Sequence, residues 1–445
     1  MQAFCLTTNQ ASETGDNVSA IAERGMTNER QSVGRAAVAA TVGNMLEWYD
    51  FTIYAAFAVP ISKAFFPADS EVVSLLLGFV TFGIGFVARP FGAVVLGSFA
   101  DRRGRRDALS LTILLMALGT GIIALCPGYD RIGIAAPIII LLARIIQGFS
   151  AGGEIGGAVS TLVEHAPPAR RGFYASFQQM SQGGSTMLSG LVALIISLAL
   201  PAAAVTEWGW RLAFVVGLLI APVGLYIRRE LEDAPLFKES DHASEAPIRT
   251  VLRDHWRTVL TGMLVVMLWT VSQYIANYFP TFAARELKMS LSQSYLGPVT
   301  VGTVLLFCPL IGVLADRFRR QRIMVVGAAG LAIVAYPAFA YLIASPTPER
   351  LVLSQIGVAI FMLIYTAPAS AVLAEMFPTK VRATGISLTY SLGVAIFGGF
   401  TPAIITALIN WTGRPIAVAF YLAIAALISL MTVLTLKDRT GEVLS

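Results

Sequence analysis

The sequence predicts an all-α membrane protein, with twelve transmembrane helices in two pseudo-symmetric six-helix halves. Three observations predict it. Of the 445 residues, 56% are hydrophobic and 13% charged, and the mean hydropathy is +0.70. Apolar runs long enough to cross a bilayer recur twelve times. The loops between those runs repeat, one half against the other.

Soluble chains carry roughly 25% charged residues. Half that share cannot cover a water-facing surface of this size, so the lipid bilayer is the expected solvent for most of the chain. The net charge of +5 would by itself suit nucleic acid. The basic residues, however, sit in short loops between apolar runs, which is the pattern of membrane topology, and no nucleic-acid partner is expected. Cys5, Cys126 and Cys308 stand in no metal or redox spacing, and Cys126 and Cys308 read as small apolar fillers. With three histidines and no H-x-x-x-H, neither a metal nor an organic cofactor is expected.

A membrane helix needs about 20 mostly apolar residues. Spans are predicted at 36–58, 72–99, 107–126, 134–160, 171–200 and 208–228, then at 256–283, 294–315, 322–343, 350–375, 383–410 and 414–436. Residues 1–35 are polar and lack an apolar core beside a cleavage site, so they read as a disordered cytoplasmic tail and not a signal peptide, with Met26 a second candidate start. The polar stretch 229–255 reads as a cytoplasmic linker between a 36–228 bundle and a 256–436 bundle, and 437–445 as a short tail. With the N-terminus inside, cytoplasmic segments hold 23 of the 32 lysines and arginines, external loops seven, and spans two (Arg89 and Arg144). The positive-inside bias therefore places both termini in the cytoplasm.

The repeat shows in the loops. Gly97-Ser-Phe-Ala-Asp101-Arg102-Arg103-Gly104-Arg105-Arg106 falls between spans two and three, and Gly312-Val-Leu-Ala-Asp316-Arg317-Phe318-Arg319-Arg320 between spans eight and nine. Glu164-His-Ala-Pro167-Pro-Ala-Arg170-Arg171 follows span four as Glu375-Met-Phe-Pro378-Thr-Lys-Val-Arg382 follows span ten. A six-span unit duplicated in parallel explains both pairs.

The Gly97 to Arg106 stretch resembles the signature loop of the major facilitator superfamily. Further stretches resemble its metabolite:proton symporter family: Gly43-Asn44-Met-Leu-Glu47-Trp48-Tyr49-Asp50-Phe51, Arg89-Pro90-Phe-Gly92-Ala, Arg144-Ile-Ile-Gln147-Gly148-Phe-Ser-Ala-Gly152-Gly153-Glu154, Trp208-Gly-Trp210-Arg211 and Ala395-Ile-Phe-Gly-Gly-Phe-Thr401-Pro402. The last, with Gly385 to Leu392, looks closest to citrate and tricarballylate carriers. Glu47-Trp48-Tyr49-Asp50-Phe51 looks more like the ketoglutarate, shikimate and osmolyte branches. The resemblance implies a monomeric inner-membrane transporter, not an enzyme, importing a small organic acid with protons. A proline- or betaine-like zwitterion is the alternative, and a non-transporting receptor a more distant one. The short tail after span twelve favours the acid. By the same resemblance, Asp101, Arg102 and Arg105, with Asp316 and Arg317, would be a gating latch.

A charge at mid-bilayer costs about 2.5–3.5 kcal/mol on insertion scales, so each one needs a reason. Asp50 and Arg144 can share a level near the middle of spans one and four. Asp50 would bind and release the coupling proton, pairing with Arg144 when ionised; a permanent ion pair is the bland alternative. Glu47, three residues before Asp50, would share the proton or support the pair. Glu154 is a gating or proton-path candidate, or simply a hydrogen-bonding partner at a helix contact. Gly148, Gly152 and Gly156 form a smooth face for close packing. Arg89 is the candidate anion binder, with snorkelling as its alternative. Gln178 and Gln182 on span five and Gln273 and Asn277 on span seven, four apart in each case, read as cavity stripes or as helix–helix glue. Tyr278, in the polar set of span seven with Ser272 and Tyr274, is a further substrate-site candidate, and Tyr365 and Tyr390 are weaker ones. His165, His242 and His255 read as solvated loop residues.

Overall fold

A computed structural model describes residues 41–442, apart from 43, 104, 153–155, 157, 158, 161, 162, 165, 220, 221 and 223–246; the side chains at 98, 100–102, 105, 106, 109 and 247 also lie outside the description. Helices make up the architecture, and there is no strand among the described residues. The twelve spans are α1 (44–65), α2 (Glu71–Gly97), α3 (Arg105–Leu125), α4 (Ala135–Ser150), α5 (Pro168–Ala199), α6 (Ala202–Leu219), α7 (Trp256–Arg285), α8 (Leu291–Leu305 with Cys308–Phe318), α9 (Arg320–Ala344), α10 (Pro348–Glu375), α11 (Thr379–Thr412) and α12 (Ala417–Thr435). Large apolar side chains stay bare on their outer surfaces, such as Leu198, Leu219, Ile333 and Met431. A band of this kind is stable only against lipid. The predicted 229–255 linker ends in a helix, Pro247–Asp254, before α7. Its earlier part and the 1–35 tail lie outside the described residues.

Local chemistry sets the irregularities. α1 is interrupted at Phe57, three residues before Pro60, whose missing N–H cannot continue the helical ladder. α8 bends by 42° between Leu305 and Cys308, where Pro309 opens the second piece. Glycines let backbones touch. A Cβ at Gly148 would strike the Gly85 carbonyl, one at Gly152 the Arg89 carbonyl, and one at Gly92 the Phe149 carbonyl. α2 and α4 are therefore seated backbone on backbone, as the glycine spacing predicts. Gly156 faces Ala383 and Ser387 of α11 in the other half.

The halves meet along α5 against α8 and α2 against α11. At the terminal face, the end carrying residues 437–442, Asp316 accepts the Gly172 and Phe173 N–H groups at 2.8 and 2.9 Å. Arg320 pairs with Asp316 at 2.5 Å and with Glu375. Arg382 reaches Glu164 at 2.8 Å. The chain after α12 crosses this face: Arg171 donates to the Glu442 carbonyl at 2.6 Å, and Arg439 to the Glu375 carbonyl at 2.9 Å. At the opposite face the halves touch through aromatic pairs, Phe57–Tyr295 and Phe79–Tyr278, both at 5.5 Å between centroids.

Candidate functional site

Two buried arginines define the centre. Arg144, fully buried on α4, has its guanidinium 4.6–4.9 Å from the ring centres of Phe51, Tyr54 and Phe82. Arg89 on α2 is 2% exposed and lies 5.0–5.9 Å from the rings of Trp48, Phe51, Phe86 and Tyr390. That burial excludes snorkelling. Phe51 is thus shared by both cations. Facing rings stabilise a desolvated cation by up to about 2 kcal/mol. Burying an ion without a counter-ion costs several. The rings therefore offset only part of the cost, and the guanidinium N–H groups decide what completes it.

Those groups are partly committed. Arg89 Nη2 donates to the Ala151 carbonyl at 3.0 Å, while its Nε and Nη1 have no hydrogen-bond partner among the described residues. Arg144 Nη1 donates to Gln147 Oε1 at 2.8 Å, leaving Nε and Nη2 in the same condition. Nε and Nη2 lie along one edge of the guanidinium plane and point the same way, the geometry that grips a carboxylate with two parallel bonds.

In this structure Asp50 does not pair directly with Arg144, the pairing expected from sequence for its ionised form. Its Oδ2 accepts the Thr120 hydroxyl at 2.6 Å; Thr120 Oγ1 accepts Gln147 Nε2 at 2.9 Å; and Gln147 Oε1 accepts Arg144. Two uncharged side chains thus separate acid from base. The helix interior delivers Asp50 here because Gly217 of α6 leaves room for Oδ1, into which a Cβ would intrude. Glu47 is half-buried one turn away on α1.

The other half supplies the facing wall. Tyr274 of α7 stacks edge-on to Phe86 at 5.3 Å and to Phe82 at 5.9 Å, so it stands beside both cation boxes, and its hydroxyl has no partner among the described residues. Gln182 joins the halves: its Nε2 donates to the Tyr390 hydroxyl at 3.0 Å and its Oε1 accepts Trp269 Nε1 at 3.2 Å. Gln273 Nε2 donates to Thr186 Oγ1 at 2.8 Å and lies 3.5 Å from Asn277 Oδ1. Gln178 sits further along α5, 3.4 Å from Asn44.

Several sequence candidates stand elsewhere. Tyr278 bonds Thr406 at 3.3 Å and packs on Phe79 at the opposite face. Tyr365 donates to the Val265 carbonyl at 2.7 Å and packs against Gly327, so it is a tie within the second half and not a substrate contact. Arg317 is exposed over Phe318, outside the charge cluster of the terminal face; Arg320, the first residue of α9, belongs to it. Asp316 lies in that cluster. Glu154 and the side chains of Asp101, Arg102 and Arg105 lie outside the described residues. Sequence reasoning gave no role to Thr120, Gln147 and Trp48. Gln147 at three residues from Arg144 was the available signal, because that spacing shares a helix face.

Residues 36–254 match the family model for sugar (and other) transporters, and 299–444 the model of the Major Facilitator Superfamily. The citrate-proton symporter of Salmonella typhi is 38% identical over 92% of this chain and 94% of its own. The chain belongs to the major facilitator superfamily. As a member it is a multi-pass membrane transporter, a proton symporter by its kinship, and not an enzyme. The proline/betaine transporter of Escherichia coli K12 is 31% identical over 92% of this chain and 84% of its own. A solved D-xylose-proton symporter superposes with a TM-score of 0.73 at 19% identity, covering 93% of this chain and 100% of that one, which supports the fold alone.

Proposed function

We propose that this transporter imports a small organic acid, a di- or tricarboxylate of citrate-like size, together with protons, by rocking of its two halves about the Arg89–Arg144 centre. The terminal face lies in the cytoplasm on this reading, as the positive-inside bias requires. The observation that carries it is the pair of buried guanidinium groups that share the Phe51 ring, each with two uncommitted nitrogens. A carboxylate supplies both the counter-charge and the acceptors. Asp50 serves as the proton site, because a carboxyl group linked to the cargo-binding arginine lets protonation and cargo loading favour one another.

The kinship to proline/betaine transporters suggests a zwitterion as second reading. The faces of Trp48, Phe86 and Tyr390 that could cage its quaternary nitrogen are already turned to the Arg89 guanidinium, which favours the acid. Thermal-shift screening of the purified protein against di- and tricarboxylates and betaine at two pH values separates the two. Stabilisation by a carboxylate is expected; stabilisation by betaine alone would overturn the substrate class. Proton-driven uptake in proteoliposomes separates a carrier from a receptor, which binds ligand and moves none.

A further inference from the structure

Thr120 and Gln147 are buried completely. Their bonds all run one way. Arg144 donates to Gln147, Gln147 donates to Thr120, and Thr120 donates to Asp50, at 2.8, 2.9 and 2.6 Å. The Thr120 hydroxyl has a second acceptor within reach, the Met116 carbonyl at 3.0 Å. A hydroxyl carries one hydrogen and two lone pairs. That single hydrogen therefore has two destinations, Asp50 or Met116, while Gln147 occupies one lone pair in either case.

We infer that Thr120 is a positioning residue that switches between these two acceptors and so transmits the protonation of Asp50 to Arg144 through Gln147. The inference rests on Asp50 being the proton site. With Asp50 ionised, the hydroxyl hydrogen points at the carboxylate in a short, charge-assisted bond. Each donor in the chain then polarises the next, and the Arg144–Gln147 bond is strengthened. When a proton from water adds to Oδ2, that new O–H donates to Thr120, and the hydroxyl hydrogen turns to Met116. The Thr120 hydroxyl and Oδ2 both stay paired, but the chain is now broken in direction at Thr120. Arg144 loses its polarised link to the acid, and its uncommitted edge becomes the stronger donor to a cargo carboxylate. Proton and cargo thus assist each other without an acid–base contact that must be pulled apart.

The groups facing Asp50 are consistent with this. α3 contributes Thr120, α4 contributes Gln147 and, beyond it, Arg144, and α6 contributes the backbone at Gly217. Its neighbour Tyr49 on α1 spends its hydroxyl on the Ala213 carbonyl at 2.9 Å. Arg144 acts on it through its charge, and Glu47 stands one turn away on the same helix.

Thr120→Val keeps the shape and removes the hydroxyl; Thr120→Ser keeps the hydroxyl; Gln147→Leu cuts the next link. In proteoliposomes with a citrate-like tricarboxylate as probe, Thr120→Val and Gln147→Leu are expected to retain counterflow exchange while the accumulation driven by a proton gradient falls at least about tenfold. In Thr120→Val the alkaline limb of the pH profile moves outward by about one unit, the equivalent of that tenfold change. Thr120→Ser restores both. Accumulation and pH profile unchanged in Thr120→Val, or in Gln147→Leu should the first variant not fold, would overturn the relay. Asp50→Asn distinguishes the two levels: if it abolishes gradient-driven accumulation while the relay variants do not, the relay alone falls; if Asp50→Asn itself accumulates cargo with pH, the proton-site reading falls with it.

Discussion

Arg89 offers the sharpest test of the binding centre. Lysine at this position keeps the charge but loses the planar fork and the stacking on four rings. Two uncommitted guanidinium nitrogens are then replaced by one ammonium that must also serve the Ala151 carbonyl. A hydrogen bond to a charged group contributes about 1.5–3 kcal/mol. Losing one such bond, with part of the ring contact, weakens carboxylate binding by about 2–3 kcal/mol, or about 30- to 150-fold in Kd. Arg89→Met asks the complementary question. It removes a buried cation whose desolvation costs several kcal/mol, against one lost bond to a carbonyl, so the fold should be as heat-stable as before or more so. Calorimetric titration of a tricarboxylate into the detergent-solubilised protein gives the first quantity, and a thermal melt without ligand gives the second. The reasoning fails if Arg89→Lys binds within about threefold of the parent, under about 0.7 kcal/mol. It fails equally if Arg89→Met melts far below the parent, because the arginine would then be a structural tie.

Other perturbations follow from the same geometry. Gly148→Val drives a branched side chain into the Gly85 carbonyl and should cost about 3 kcal/mol or more, seen as loss of folded protein on size-exclusion chromatography. Asp316→Asn weakens the grip on Gly172, Phe173 and Arg320, so the terminal face should open more often; a cysteine placed beneath it should label faster with a membrane-impermeant maleimide. Tyr365→Phe removes the bond to the Val265 carbonyl, lowering stability by about 1 kcal/mol in a melt while leaving the cargo Kd within error of the parent.

Much of this was legible in the sequence, for identifiable reasons. Span number follows from hydropathy because every polar backbone group in lipid must be paired within a helix. The duplicated loops announced the two halves, and Arg89 and Arg144 stood out because a charge in an apolar run is costly. The Asp50–Arg144 relationship was only half legible: shared depth is visible from counting residues, but rotation about each helix axis is not, and rotation put Thr120 and Gln147 between them. Tyr365 and Tyr390 look alike in sequence, yet one hydroxyl meets a carbonyl inside its own half and the other meets Gln182 across the halves. Arg317 and Arg320 stand on either side of the break at Arg319 between α8 and α9, and which of them turns inward depends on where Glu375 lies, a residue 55 positions from Arg320.

The glycine contacts between α2 and α4 have a consequence for selectivity. Backbones seated on one another leave no side chains to slide, so Arg89 and Arg144 ride on a single rigid block. On the reading proposed above, the gap between the two cations would then act as a caliper of fixed width, and an organic acid would be sorted by the spacing of its negative groups against it.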